Sequence, residues 1–305
     1  MTTQGVILGC TFIVFVVIGI PLQLIIISIL VRRVEFRNIN VYKIMVHMSI
    51  SECTLMIGHF MGAVMSLCGT QFHEVFSKIG GCFVNASWIA IVSFAFVLSL
   101  NRILVFIELN LTVRTERILF TGMMMFIWLI AMAVFLVHLL PNLSVYYDLG
   151  KNAYQFEKSP SASISESVEH NFIFSGLIAS FVLGVITVIV IVIKRNSNAS
   201  QFILSAAELK LFAQAAIIFT YLTAIRSAWH LSHSVKLPDH IITVMIVATE
   251  AVGFLNPFLY LTFNRLIRRY FVATFGLTKK TIVGFASPGT QCTRSTSTRV
   301  ASQHI

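Results

Sequence analysis

The chain has 305 residues, of which 57% are hydrophobic and 11% charged, with a mean hydropathy of +0.86 and a formal net charge of +10. Soluble domains run to about 25% charged residues, and one water-soluble core of this size cannot hide so much apolar side chain. Soluble, disordered and nucleic-acid-binding classes are thereby excluded, and an integral membrane protein remains.

Crossing the hydrocarbon core takes about 20 apolar residues of helix. Seven segments qualify: Gly5–Val31, Tyr42–Leu67, Ile79–Ile107, Ile118–Leu140, His170–Ile193, Leu209–Leu231 and His240–Phe263. Their apolar runs are continuous and far longer than the alternating strands of a membrane barrel, so the expected fold is all-α, a seven-transmembrane helix bundle. Gly5–Val31 has no basic stretch before it and exceeds a signal peptide's apolar core, so it reads as the first span. The second span is the most polar, carrying Lys43, His47, Glu52 and His59. After the seventh, Leu266, Ile267, Tyr270, Phe271 and Phe275 share one face of Asn264–Phe275, with Arg265, Arg268 and Arg269 among them. That pattern predicts a short amphipathic eighth helix on anionic headgroups. Residues 1–275 would then form one membrane domain. Residues 276–305, rich in Ser and Thr with scattered Lys and Arg, have the composition of a disordered tail.

Lys and Arg accumulate in cytoplasmic loops. One set of loops, with the tail, holds 17 cations, among them Arg32, Arg37, Lys43, Arg117, Lys194 and Arg268; the other holds Lys78, Lys151, Lys158 and Lys236. The N-terminus is therefore expected outside and the tail inside, with Pro141–Glu169 a long extracellular loop. The basic excess follows from this topology and the anionic inner leaflet, so no nucleic acid is implied.

Ionisable groups inside a bilayer cost a few kcal/mol or more, so each marks a candidate site. Glu52 lies midway along the second span and Arg102 near the inner end of the third; Arg226 and Glu250 lie in the outer halves of the sixth and seventh. Glu52 reads either as a working polar group or as a protonated packing residue. Glu250 reads either as a cation-binding acid or as the partner of Arg226. Trp88 and Trp229 fit an interfacial belt better than a pocket wall. The seventh span ends Asn256-Pro257-Phe258-Leu259-Tyr260, where proline removes a backbone hydrogen bond inside a helix that polar neighbours can re-satisfy.

With those residues in view, the chain resembles the rhodopsin-like G-protein-coupled receptors. Asn256, Pro257 and Tyr260 match the family's NPxxY motif. Asn101-Arg102-Ile103 keeps the arginine of its Asp/Glu-Arg-Tyr triplet, Glu52 stands where the second helix carries an acid, and Trp128 resembles the fourth-helix tryptophan. Tyr42–Met45, Gly81–Phe83, Leu98–Arg102 and Tyr260–Arg269 are similar to nematode serpentine chemoreceptors, class T most of all.

The resemblance implies that Arg102, with Asn101, Asn256, Pro257 and Tyr260, carries activation and coupling to a heterotrimeric G protein. With Asn101 in place of the acid, the inactive-state ion pair is missing and a weaker hydrogen bond would hold the lock. It also implies a polar core of Glu52 and Asn256 able to hold sodium, and a small-molecule ligand near Glu250, Arg226 and Tyr221. A receptor kinase or arrestin would act on tail residues such as Thr293 and Ser295. The loop Pro141–Glu169 has no cysteine, so the family disulfide cannot form, and Cys68 with Cys82 is a candidate substitute. No lysine occurs in the seventh helix, which excludes a retinal Schiff base, and no cofactor is implied. Asn142 begins a sequon close to the membrane; those at Asn110 and Asn198 face the cytoplasm. No metal cluster or nucleotide loop is present, so an enzyme is not expected. The expected function is a plasma-membrane chemosensory receptor. The alternative is a seven-span transporter or channel with Glu52, Arg226 and Glu250 along a polar path.

Overall fold

Along the first helix Leu8, Phe12, Val16, Gly19, Gln23, Ile26 and Leu30 recur every three or four residues and are buried, whereas Ile7, Val14, Val17, Ile18 and Leu24 are exposed. A helix apolar on both faces, with only one face packed, presents the other to lipid. The computed structural model describes residues 3–107, 112–197, 206–235 and 237–276. Its elements in chain order are α1 (Thr3–Arg32), α2 (Val34–Arg37), α3 (Asn40–Cys68), α4 (Glu74–Ile107), α5 (Val113–Leu139), β1 (Val145–Asp148), β2 (Ala153–Phe156), α6 (Pro160–Ser197), α7 (Ala206–Ser234), α8 (Asp239–Phe263) and α9 (Arg265–Thr274). The chain is a multi-pass membrane helical bundle. Among the described residues, α1, α3, α4, α5, α6 and α8 are long and apolar enough to cross a membrane, and α7 covers the stretch expected as the sixth span.

The helices close into a ring in which α1 meets α3 and α8, α3 meets α4, α4 meets α6, α6 meets α7, and α7 meets α8; α5 packs outside against α4. The main core is built on α4, where Trp88, Ile91, Phe94, Val97 and Leu98 are buried with Phe120 and Ile127 of α5, Ile173 and Leu177 of α6 and Leu222 of α7. Trp128 on α5 donates from Nε1 to His47 Nδ1 at 3.0 Å, which gives the second-span histidine a plain hydrogen-bonding role.

At one end of the ring an antiparallel hairpin, β1 paired with β2 from Val145↔Phe156 to Asp148↔Ala153, lies across the bundle. The bundle is all-α as expected, and the stretch read as a loop adds two strands of four residues each. The hairpin is pinned to α3 and α4. Ser66 Oγ and the Tyr147 hydroxyl share a 2.6 Å hydrogen bond, the Tyr147 amide donates to Ser77 Oγ at 2.7 Å, and Gln71 donates to the Tyr147 carbonyl. Burial pushes the Tyr147 hydroxyl up to about 12, so this contact holds between neutral partners at any physiological pH. Two glycines make the approach close enough. A Cβ on Gly81 would meet the backbone carbonyl of Val145, and one on Gly80 would meet the Tyr154 hydroxyl.

At the other end, Asn264 caps α9, its Oδ1 accepting from the amides of Leu266 and Ile267 at 3.0 and 3.1 Å. Ile267 is buried while Leu266 and Phe275 are exposed, and Tyr270 binds α2: its hydroxyl donates to Glu35 at 2.6 Å and Arg33 lies 4.5 Å over its ring. The Tyr270 hydroxyl holds the exposed Glu35 carboxyl below the usual carboxylate range. The tail beyond residue 276, with Thr293 and Ser295, and the sequons at Asn110 and Asn198 lie outside the described residues.

Candidate functional site

Beneath the hairpin a cavity of about 520 Å³ opens between α1, α3, α4, α6, α7 and α8, with Tyr147, Ala153 and Tyr154 of the hairpin in its wall. The volume is that of a small-molecule site. Phe12, Trp88, Trp229 and Phe156 supply apolar wall, and His59, Asn85, Asn171, Arg226, Thr249 and Glu250 supply polar groups. Trp229 Nε1 donates to Thr249 Oγ1 at 2.8 Å, which fixes the indole in the wall.

Three expectations change here. Glu250 lies against His59 Nδ1 of α3, not Arg226, because the sequence reports depth in the membrane but not which helix a side chain faces. Arg226 instead lies with its guanidinium 6.0 Å from the Trp88 ring centroid, and its buried Nε has no hydrogen-bond partner. Trp88 and Trp229 belong to the cavity, and Tyr221 does not. The Tyr221 hydroxyl donates to the Ala248 carbonyl at 2.8 Å, tying α7 to α8 within the main core.

The rim has a node that sequence reading missed. His138 of α5 is buried with Nε2 2.5 Å from Glu169 of α6, whose other oxygen accepts from Asn85 of α4 at 3.2 Å. The only signal was a histidine and an acid at the outer ends of two apolar runs. Cys68 and Cys82 do not bridge: all four described cysteines are free, Cys68 being exposed at the end of α3 while Cys82 is buried within α4. Asn142 is exposed with φ 64°, and the Ser144 hydroxyl of its sequon is buried and donates to the Leu140 carbonyl at 3.1 Å.

About 10 Å further along α3 and α8, by their rise of about 1.5 Å per residue, a polar core joins three helices. Glu52 is fully buried and accepts from Asn256 of α8 and from Gln23 of α1. The same Gln23 amide donates to the Gly253 carbonyl at 3.0 Å. Gly253 is the residue whose carbonyl loses its helical donor to Pro257, four positions on, so Gln23 fills the gap the proline makes. Gln23 was not foreseen; its trace in the sequence is one amide in an otherwise apolar run. Asn256 Oδ1, Gln23 Oε1 and Ser49 Oγ are buried there without protein partners. Among the described residues no group of three or more His, Cys, Asp or Glu could hold a metal ion.

Toward the α9 end, Tyr260 is fully buried, within electrostatic reach of both Glu52 and Arg102. Its hydroxyl, Arg102 Nη1 and Asn101 Oδ1 are buried with no hydrogen-bond partner, so Asn101 Oδ1 does not hold Arg102. The two side chains leave α4 at successive positions about 100° apart, which turns them to different neighbours.

The family model for the serpentine type 7TM GPCR chemoreceptor Srt matches residues 1–283. No curated protein matches. Among solved structures, the crystal structure of squid rhodopsin is similar at a TM-score of 0.76 and 12% identity, covering 90% of this chain and 87% of that one. At that identity the likeness shows the fold alone.

Proposed function

The chain belongs to the Srt family of serpentine chemoreceptors, G-protein-coupled receptors and not enzymes, and from that membership we propose that it is a plasma-membrane receptor for a small extracellular chemical. In this reading residues 1–275 form a seven-span domain with α7 as the sixth span and α9 lying on the inner leaflet. The N-terminus and hairpin face outside, and residues 276–305 form a cytoplasmic tail open to a receptor kinase or arrestin. The ligand enters the cavity beneath the hairpin, where Glu250 and Arg226 lie. Glu52 and Asn256, a place that could take sodium, relay its presence. Arg102, Asn101, Asn256, Pro257 and Tyr260 open the inner face to a heterotrimeric G protein.

One observation carries the reading. Between the cavity wall and the buried polar groups at Arg102, the Gln23–Glu52–Asn256 contacts join α1, α3 and α8, and the central proline's missing hydrogen bond is made by another helix. Such a joint can hold two arrangements of α8 against α1 and α3. A ligand that favours one of them shifts the whole bundle. The transporter alternative needs Glu52, Arg226 and Glu250 on one path, and the contacts of Glu52 and Glu250 are instead local and between neighbouring helices.

The test is G-protein activation in a heterologous cell over a panel of small odorants, comparing the intact chain with Arg102→Ala at equal surface expression. A ligand-dependent signal lost in the variant is expected. A signal that survives in Arg102→Ala would remove Arg102 from the coupling role, and a solute current that depends on Glu52 would replace the receptor reading with the transporter one.

A further inference from the structure

The charges in the cavity wall are not equivalent. Glu250 is committed to His59, which sits between Phe12 and Tyr154 with ring centroids 6.4 and 6.5 Å away. Glu169, near the rim, is committed to His138 and Asn85. Arg226 is different. Its guanidinium lies over Trp88 in the wall, Glu166 and Glu169 are within electrostatic reach, and its buried Nε–H has no acceptor. His170 and His230, stacked with centroids 4.4 Å apart, also line the cavity.

A buried guanidinium N–H with no acceptor is a costly arrangement that a bound acceptor relieves. The guanidinium presents its N–H groups as a planar fork matched to a carboxylate, and its face stacks on an aromatic ring. In the same cavity wall, Trp229, Phe12 and Phe156 offer apolar surface to the rest of a ligand. We propose that the cavity takes a small organic anion, a carboxylate with an aromatic or aliphatic body, anchored on Arg226 with the body against Trp88 and Trp229. This assignment rests on the reading of the cavity as the ligand site, and it stands against the alternative in which Glu250 binds a cation.

The experiment uses the full chain purified in lipid nanodiscs and two matched series: phenylacetate, phenethylamine and phenethyl alcohol, and octanoate, octylamine and octanol. Binding is read as a ligand-dependent rise in the thermal unfolding midpoint, and signalling as G-protein activation in cells. A carboxylate is expected to raise the midpoint while its amine and alcohol counterparts do not. Arg226→Gln should weaken that binding about 10- to 100-fold, the loss of a charge-assisted contact, and Arg226→Lys should retain part of it. The comparison within each series needs no variant, so a misfolded Arg226→Gln does not decide the outcome. If the amines or alcohols match the acids, if neither acid binds, or if a well-folded Arg226→Gln binds acids unchanged, the anion assignment falls. Activation of a G protein by a neutral or cationic probe would leave the receptor reading standing without it. Arg226-dependent binding of acids with no G-protein activation would leave the assignment standing and remove the receptor reading.

Discussion

Pro257 cannot donate to the Gly253 carbonyl, and a helix in lipid has no water to make up the loss. The Gln23 amide makes it up, and the same nitrogen also donates to Glu52. One carboxyl therefore organises donors from α1 and α8. Glu52→Leu would leave Gln23 and Asn256 donors buried without that acceptor, at about 1–3 kcal/mol for each unsatisfied group. The thermal midpoint of the purified variant should fall by several degrees, and an unchanged midpoint would mean that the carboxyl is not what holds α1 and α8 together. Glu52, Pro257 and Asn256 were legible because each breaks the rules of an apolar helix. Gln23 was not, since a neutral amide breaks them only mildly. The pairing of Glu250 with His59 was not legible either. Hydropathy and charge fix how deep a residue lies, whereas its partner depends on the rotation of two helices about their axes.

Elements outside the hydrocarbon were the least readable. The seven apolar runs located the helix cores, yet α6 begins at Pro160 and α4 at Glu74, well before their apolar runs. A helix does not stop where its lipid contact stops. Its true start at α6 was written in Ser159-Pro160: the Ser159 hydroxyl accepts from the Ala162 amide at 3.0 Å, and proline suits the first turn. The hairpin was hidden because each strand is only four residues long. Its place is prepared on α4, where Gly81 lets the Val145 backbone touch the helix. Gly81→Ala puts a methyl group against a backbone carbonyl that has no rotamer to yield, an overpacking cost of about 1–3 kcal/mol. The expected outcome is a lowered thermal midpoint and, because β2 walls the cavity, weaker ligand binding than in an alanine substitution at Gly122, where a Cβ meets nothing. Equal behaviour of the two variants would show that the hairpin does not depend on this contact.

At the scale of the molecule, α4 is the axis. It packs against α3, α5, α6 and β1, carries Trp88 in the cavity wall, and about 20 Å further along presents Arg102 at the opposite end. A displacement of α4 is therefore felt at both ends at once. The multi-pass bundle was plain from composition, and the ring order of its helices emerges only from packing. The hairpin over the cavity contains no cysteine and is fastened through Ser66, Ser77 and Gln71 to Tyr147. Thiol reductants should therefore leave the thermal midpoint and ligand binding of the purified chain unaltered, and a fall in either on adding dithiothreitol would show a covalent tie. A lid fastened in this way has no oxidation state. Its closure during biogenesis does not wait on oxidative folding, and in the receptor reading proposed above the mouth of the cavity would stay indifferent to the redox chemistry of the medium outside.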